Sequence, residues 1–438
     1  MGKTNNDRVG NMKKNMIGFL IVLFFKSIIG EDEMRVVVNA QQVEKMSIAF
    51  VIIDRVDNEF VTNLKKYLEM TGQYNLKLIR KRGVTKESEI KMLFDQGCSM
   101  ALFISQDRKN YSWRLYDTIE SHMIEGKKFL GAHKSIQEAA QNVADYIWQT
   151  MMGNYGSFSS KIAFCRQKIE KKHGKDRFYK QILLADIDGS HELLIDLPTI
   201  SFAPRWNQNP EVPVLFYSEN TVSNVRLMMS NMYGKRRVVC SFDGLNMQPA
   251  FSDDGNEIVF CLSKDGSTQL YRSYISGNSR KYIRLTHNKG NNFAPCFVNK
   301  ETIVFVSDYK ANSPQLYFMN IKTQEITPIT TKGYNVCPCY SKVKHQIVYS
   351  KMVAGKMQLF IYDCRSKKDE QITSGSIFSN EEPSWSPCGN FIVYCANQEF
   401  NGRIVCLNMA TKETKYITPK NWNCSYPSWS PVYTSWLE

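Results

Sequence analysis

The residues of this 438-residue chain best equipped for chemistry stand in pairs: Cys337 with Cys339, His191 with Glu192, and Glu381 with Glu382. Two thiolates at that spacing can start a zinc site, but no second Cys pair or suitably spaced His pair completes four ligands. His191-Glu192 runs on as Leu193-Leu194-Ile195-Asp196 without the second histidine of a zinc-protease helix, so it reads as a turn at a strand edge. Glu381 and Glu382 would serve as acid and base in a cleft, although adjacent acids ordinarily form solvated surface. No Gly-x-Ser-x-Gly elbow, His-Glu-x-x-His helix or Gly-x-x-x-x-Gly-Lys loop occurs, so hydrolase, zinc-protease and P-loop chemistries lack their reactive groups. The expectation is no catalytic, cofactor or metal site.

A polar position does recur. Asn246, Asn292, Asn335 and Asn380 each stand three residues before a proline. Such an Asn caps the turn entering a strand through its side-chain carbonyl, or it rings one mouth of a channel and holds a partner; the two roles are compatible.

The elements that position these residues come from a repeat. A Pro-x-aromatic triplet occurs at Pro204, Pro249, Pro295, Pro338, Pro383 and Pro427, with separations of 45, 46, 43, 45 and 44 residues. About nine residues after each of the first five prolines comes a β-branched and aromatic run such as Ile258-Val259-Phe260 or Ile392-Val393-Tyr394, reached through turns such as Asp253-Asp254-Gly255. Third strands are visible in Gln269-Leu270-Tyr271, Gln315-Leu316-Tyr317 and Gln358-Leu359-Phe360, and fourth strands end at Leu285-Thr286, Ile329-Thr330, Ile372-Thr373 and Ile417-Thr418. Four strands per repeat of this length is a propeller blade. The first run, Ile162-Ala163-Phe164, has no anchor before it, and the last anchor, Pro427-Ser428-Trp429, has no run after it. Joining the two ends predicts six complete blades over 153–438, closed by the C-terminal strand.

Residues 47–152 have a different rhythm. Strand-like runs at Ile48–Ile53, Leu76–Arg80, Met100–Ser105 and Lys127–Gly131 alternate with helical patterns, and Ser135 with Glu138 forms a capping box. The predicted fold class is mainly β: a six-bladed β-propeller preceded by a small α/β domain. Ahead of it, a basic segment from Met12 and about ten apolar residues to Phe25 read as a secretory signal over 1–30, too short to span a bilayer. Residues 31–46 follow as an extended segment.

The formal net charge of +14 lies mostly as a diffuse excess over 153–438, which speaks against a nucleic-acid footprint. The twelve cysteines are scattered among apolar runs, where Cys packs as a small hydrophobe.

The stretches Pro249-Ala-Phe-Ser-Asp-Asp-Gly-Asn-Glu-Ile-Val-Phe and Pro383-Ser-Trp-Ser-Pro-Cys-Gly-Asn-Phe-Ile-Val-Tyr resemble the repeats of the TolB family, the periplasmic propellers of the Tol-Pal system. The junction from Val143 through Phe164 is similar to that family's domain boundary. Departures mark a divergent member: Cys388 stands for the turn Asp, and Ala140-Gln141-Asn142 stands for the usual Ala-His. The resemblance implies a non-enzymatic, monomeric scaffold in the periplasm that links a Pal-like peptidoglycan-associated lipoprotein to a TolA-like inner-membrane protein. Outer-membrane integrity and constriction during division would depend on that link. It places Leu245, Asn246, Gln248, Asn292 and Phe293, with Asn335 and Asn380, toward the Pal-like partner. It places Glu31, Asp32, Glu33, Val36, Val37 and Val38 toward the TolA-like one, by strand addition. The other readings are a propeller enzyme, peptidase-like or lyase, for which His191, His287 and His345 should converge on the channel, and a module binding cell-wall glycan or peptide.

Overall fold

The computed structural model describes residues 35–36, 45–83, 86–129, 135–154, 156–172, 174–195, 197, 199–275 and 281–433. The signal-like segment and Glu31, Asp32, Glu33, Val37 and Val38 lie outside them.

A five-stranded sheet comes first. Parallel strands Tyr74–Lys81, Met46–Ile53 and Met100–Asp107 continue antiparallel into Asn110–Asp117 and Met123–Phe129. The middle strand is almost wholly apolar because helices cover the sheet, and Ile48 through Ile52 are buried. Helices α1 (Asn58–Met70), α2 (Glu87–Asp95) and α3 (Ile136–Met152) complete this part. Asp57 caps α1, and Ser135 caps α3 by accepting the Glu138 N–H at 3.1 Å. Strand Asn110–Asp117 and helix α2 are elements the sequence reading does not name.

From Ile162 onward the described residues are strands and turns. Four separate sheets have four strands each: Asn246–Phe251 with Glu257–Leu262, Gln269–Tyr274 and Ile283–Arg284; Asn292–Phe297 with Thr302–Ser307, Gln315–Asn320 and Ile326–Pro328; Asn335–Ser341 with Gln346–Val353, Lys356–Asp363 and Lys368–Gln371; and Ser379–Trp385 with Phe391–Gln398, Asn401–Asn408 and Thr414–Tyr416. These are blades one to four. The remaining strands do not form two more separate sheets, so four separate blades stand where six were expected. Instead Arg236–Cys240, Val225–Asn231, Val214–Asn220, Ile200–Trp206, Lys175–Ala185, Ile162–Lys172 and Asn423–Trp429 follow one another in a single eight-stranded sheet, with His191–Ile195 paired to Lys175–Ala185. The physical reason is one parallel contact, Ile200 beside Lys180, which fuses two sets of four strands.

Each blade is held in the same way. Its second strand is apolar on both faces because it packs between neighbouring blades; all six residues of Glu257–Leu262 are buried. The Leu/Ile-Thr signature closes the blade after the fourth strand. Leu285, Ile329, Ile372 and Ile417 donate their N–H to carbonyls of the third strand at 2.8 Å. The next residue, Thr286, Thr330, Thr373 or Thr418, accepts a third-strand N–H on its hydroxyl at 2.8 to 3.0 Å. The six proline-bearing strands touch one another in a closed cycle, and the last of them, Asn423–Trp429, pairs with Ile162–Lys172.

The α/β part rests on turns that follow the first and third strands. Asn408 donates to the Met70 carbonyl at 2.8 Å, Lys66 reaches Asp188 at 3.3 Å, and the Cys388 N–H donates to Ser157 Oγ at 3.0 Å. Gly72 ends α1 with φ +72, and a Cβ there would lie 2.0 Å from Thr411, so only glycine fits. The connections leading into the proline-bearing strands lie at the opposite end of the strands and form an open mouth.

Candidate partner-binding mouth and axis

In all six repeats the residue before the anchor proline is left-handed without being glycine: Ala203, Gln248, Ala294, Cys337, Glu382 and Tyr426 have φ between +48 and +57. A bulge breaks the strand register there each time. From this position two pre-proline side chains reach the next repeat. Gln248 Oε1 accepts the Ala294 N–H at 3.0 Å, and Glu382 accepts the Tyr426 N–H. One step after the proline, Cys296 Sγ accepts the Tyr340 N–H at 3.3 Å, Cys339 Sγ the Trp385 N–H at 3.5 Å, and Ser384 Oγ the Trp429 N–H at 2.9 Å. Blades are therefore stitched to one another at the axis.

Glu382 is not solvated surface. It is half-buried, and burial first and then the neighbouring Glu381 push its carboxyl up to about 7, against the opposing pull of the Tyr426 N–H, Arg205 and Lys180. Glu381 is raised by burial too.

The recurrent asparagines are buried, all at 0 or 1% exposure. Asn246 Oδ1 accepts the Phe242 N–H at 2.9 Å, the carbonyl capping expected of all four. Asn292 Oδ1 accepts from the Asn288 amide at 3.1 Å, and the amides of the other three donate to a glutamine, to Gln269 Oε1 from Asn292 at 3.1 Å, to Gln315 Oε1 from Asn335 at 2.8 Å, and to Gln358 Oε1 from Asn380 at 2.9 Å. The glutamines in turn donate to carbonyls of the same connections, including Gly290, Gly333 and Gly375. These pairs shape the mouth from within.

The side chains exposed at the mouth are mixed: apolar ones stand among polar neighbours such as Asp243, Lys289, Asn291 and Lys332. Leu245 is 37% exposed, while Gln248 and Phe293 are half-buried. Tyr334 and Ile377, in the connections, and Val222, Met352 and Phe400, in the hairpins between second and third strands, are exposed at the same end. The sequence reading misses these five; Tyr334 stands directly before its Asn as Leu245 does, which is the signal that aligning the repeats offers. Val36 of the extended segment pairs with Thr373, and Arg35 with Ser374, so this piece adds to an edge strand of its own chain.

The histidines do not gather. His287 is exposed in a connection at the mouth, whereas His345 is in the first turn of blade three at the other end, its Nδ1 3.2 Å from Tyr340 Oη. Strand His191–Ile195 begins at that far end as well. Among the described residues no group of three or more His, Cys, Asp or Glu is arranged to hold a metal ion, and no helix is long and apolar enough to cross a membrane.

Comparison with known proteins agrees with this architecture. Residues 148–433 match the family described as the TolB beta propeller domain. Tol-Pal system protein TolB of Francisella tularensis subsp. mediasiatica is 26% identical over 265 residues, 58% of this chain and 59% of that protein. The same protein of a subsp. tularensis strain is 27% identical over 265 residues, with 58% and 59% covered. The chain thus spans about three fifths of the length of these curated relatives. Among solved structures, TolB from Acinetobacter baumannii superposes with a TM-score of 0.72 at 20% identity, over 91% of this chain and 100% of that one. Hydrazine synthase of Kuenenia stuttgartiensis gives 0.51 at 15% identity, over 64% and 48%. The shared blades show fold alone, but the family match over residues 148–433 goes further: this chain belongs to the TolB β-propeller family.

Proposed function

We propose that this protein is a non-enzymatic periplasmic scaffold of a Tol-Pal system, exported by residues 1–30 and built of an α/β domain over 47–152 and a propeller over 153–438. The propeller counts as six blades, blades one to four and two more within the eight-stranded sheet, one begun by Asn423–Trp429 and the other by Ile200–Trp206. Its mouth receives a Pal-like peptidoglycan-associated lipoprotein, and the segment from Glu31 to Val38 engages a TolA-like inner-membrane protein by strand addition. Outer-membrane integrity and constriction at division follow from that link.

The observation that carries the reading is the rim of exposed apolar side chains, Leu245, Tyr334, Ile377, Met352 and Phe400, on the end of the strands that the α/β part leaves uncovered. Apolar anchors around a rigid, hydrogen-bonded opening suit a protein partner better than a small polar substrate. Gln248 and Phe293 sit within that rim, while Asn246, Asn292, Asn335 and Asn380 support it from inside.

The test is capture of a purified Pal-like lipoprotein by the mature chain, repeated with Leu245→Asp and Tyr334→Asp. Wild-type capture that falls at least about tenfold in the folded variants is expected. Failure of the folded wild-type chain to bind, or binding indifferent to the rim, removes the reading.

A further inference from the structure

Cys296 and Cys339 lie 43 residues apart, one repeat, at the same position of blades two and three. Other repeats carry Ser384 and Ser428 there. Because neighbouring first strands pack side by side at the axis, this spacing brings the two sulfurs together. Cys296 Sγ accepts the Tyr340 N–H at 3.3 Å, and Tyr340 directly follows Cys339, so the Cys296 sulfur lies against the backbone that carries Cys339. Both residues are half-buried, unlike eight of the twelve cysteines, which are buried. The Cys-x-Cys neighbour, Cys337, stands before the proline and not after it, where burial and the nearby Glu382 raise its thiol.

We infer that Cys296 and Cys339 form a dithiol site that reacts with small disulfides and closes into a covalent staple between blades two and three. Cys339 is the attacking thiol. Its sulfur accepts the Trp385 N–H at 3.5 Å, and the neighbouring Cys296 thiol, with Arg205 and Ser384, draws it toward the thiolate while Cys296 is held protonated. The Cys339 thiolate attacks one sulfur of a disulfide RSSR and expels RS⁻, which takes up a proton. Cys296 then loses its proton and attacks Cys339 Sγ in the mixed disulfide, expelling the second RS⁻. The net exchange is one RSSR and two protein thiols for one protein disulfide and two RSH, so the protein is oxidised by two electrons and the reagent reduced by two. Cys165, Cys261 and Cys406, pushed up to about 12 by burial, do not compete.

The test uses the purified folded chain, oxidised glutathione at neutral pH, alkylation of free thiols, trypsin and mass spectrometry. The expected product joins peptide 290–300 to peptide 333–342 with loss of two hydrogens. Cys296→Ser and Cys339→Ser should abolish it and Cys337→Ser should retain it, and serine is chosen because it already occupies this position in two repeats. Before oxidation, iodoacetamide should modify Cys339 at least about tenfold faster than Cys406. A linkage that survives Cys339→Ser, a linkage lost in Cys337→Ser, or no linkage in a folded chain whose exposed thiols have reacted overturns the inference.

Discussion

The Asn335 amide donates to Gln315 Oε1 at 2.8 Å, and Gln315 Nε2 donates onward to the Gly333 carbonyl, so one side-chain pair fixes the connection that enters blade three. Asn292 with Gln269 and Asn380 with Gln358 repeat the arrangement in the adjoining blades. An asparagine that looks poised for a partner is therefore spent inside the protein, and the surface it supports is made by its neighbours.

Asn335→Ala leaves Gln315 Oε1 without its buried donor and should lower unfolding free energy by about 1 to 3 kcal/mol. Gln315→Ala should cost a similar amount, and a double-mutant cycle in urea should show coupling of at least about 0.5 kcal/mol. Additive losses would show that the pair does not act as a unit.

At the junction, Asp145 accepts the Phe158 N–H at 2.8 Å, the Ser159 N–H at 2.9 Å and the Ser159 hydroxyl. Burial raises its carboxyl to about 6 despite these three donors. Asp145→Ala strands all of them in a dry site and should destabilise the chain by about 2 to 4 kcal/mol in thermal or chemical unfolding. A loss below about 0.5 kcal/mol would mean that the donors find other acceptors.

Removing residues 423–438 takes away the strand paired with Ile162–Lys172, the Trp206 bond to the Ser428 carbonyl at 3.0 Å and the Tyr433 bond to the Asn207 carbonyl at 2.8 Å. The exposed strand edge should make the truncated chain aggregate or unfold at temperatures the full chain survives. Light scattering and circular dichroism against the full chain decide it; equal melting would mean that the ring does not depend on this strand.

The blade period was legible because each Pro-x-aromatic anchor, double-faced apolar strand and closing Leu/Ile-Thr is a local requirement repeated every 43 to 46 residues. Helix α2 and strand Asn110–Asp117 were not named, since nine and eight residues give little periodicity to read. Fusion of two strand sets through Ile200 and Lys180 rests on one backbone contact that no side-chain pattern encodes. Burial of the asparagines was hidden for another reason: three of them pair with Gln269, Gln315 and Gln358, which lie about twenty residues upstream within the third strands. Cys337 and Cys339 drew attention by sequence proximity, whereas proximity in a propeller runs across one repeat, from Cys296 to Cys339.

Glu382 gives the pH dependence. Its folded carboxyl titrates at about 7, above the ordinary 4.5, because burial and Glu381 outweigh Arg205, Lys180 and the Tyr426 N–H; Cys337 and Cys165 also face it. The folded chain therefore holds this proton more tightly than the unfolded chain does. Between pH 4.5 and 7 the unfolded state gives up the proton first, so this group's contribution to stability falls as pH rises through that window and is level on either side. Glu382→Gln keeps a carbonyl to accept the Tyr426 N–H and carries no charge at any pH. Relative to wild type it should gain about 2 kcal/mol between pH 4 and pH 8, a figure already reduced for partial exposure. Urea unfolding of both proteins at pH 4, 6 and 8 measures it, the other titrating groups being common to the two. Parallel stability curves would mean that Glu382 binds its proton equally well in the folded and unfolded chains, Arg205 and Lys180 offsetting its burial.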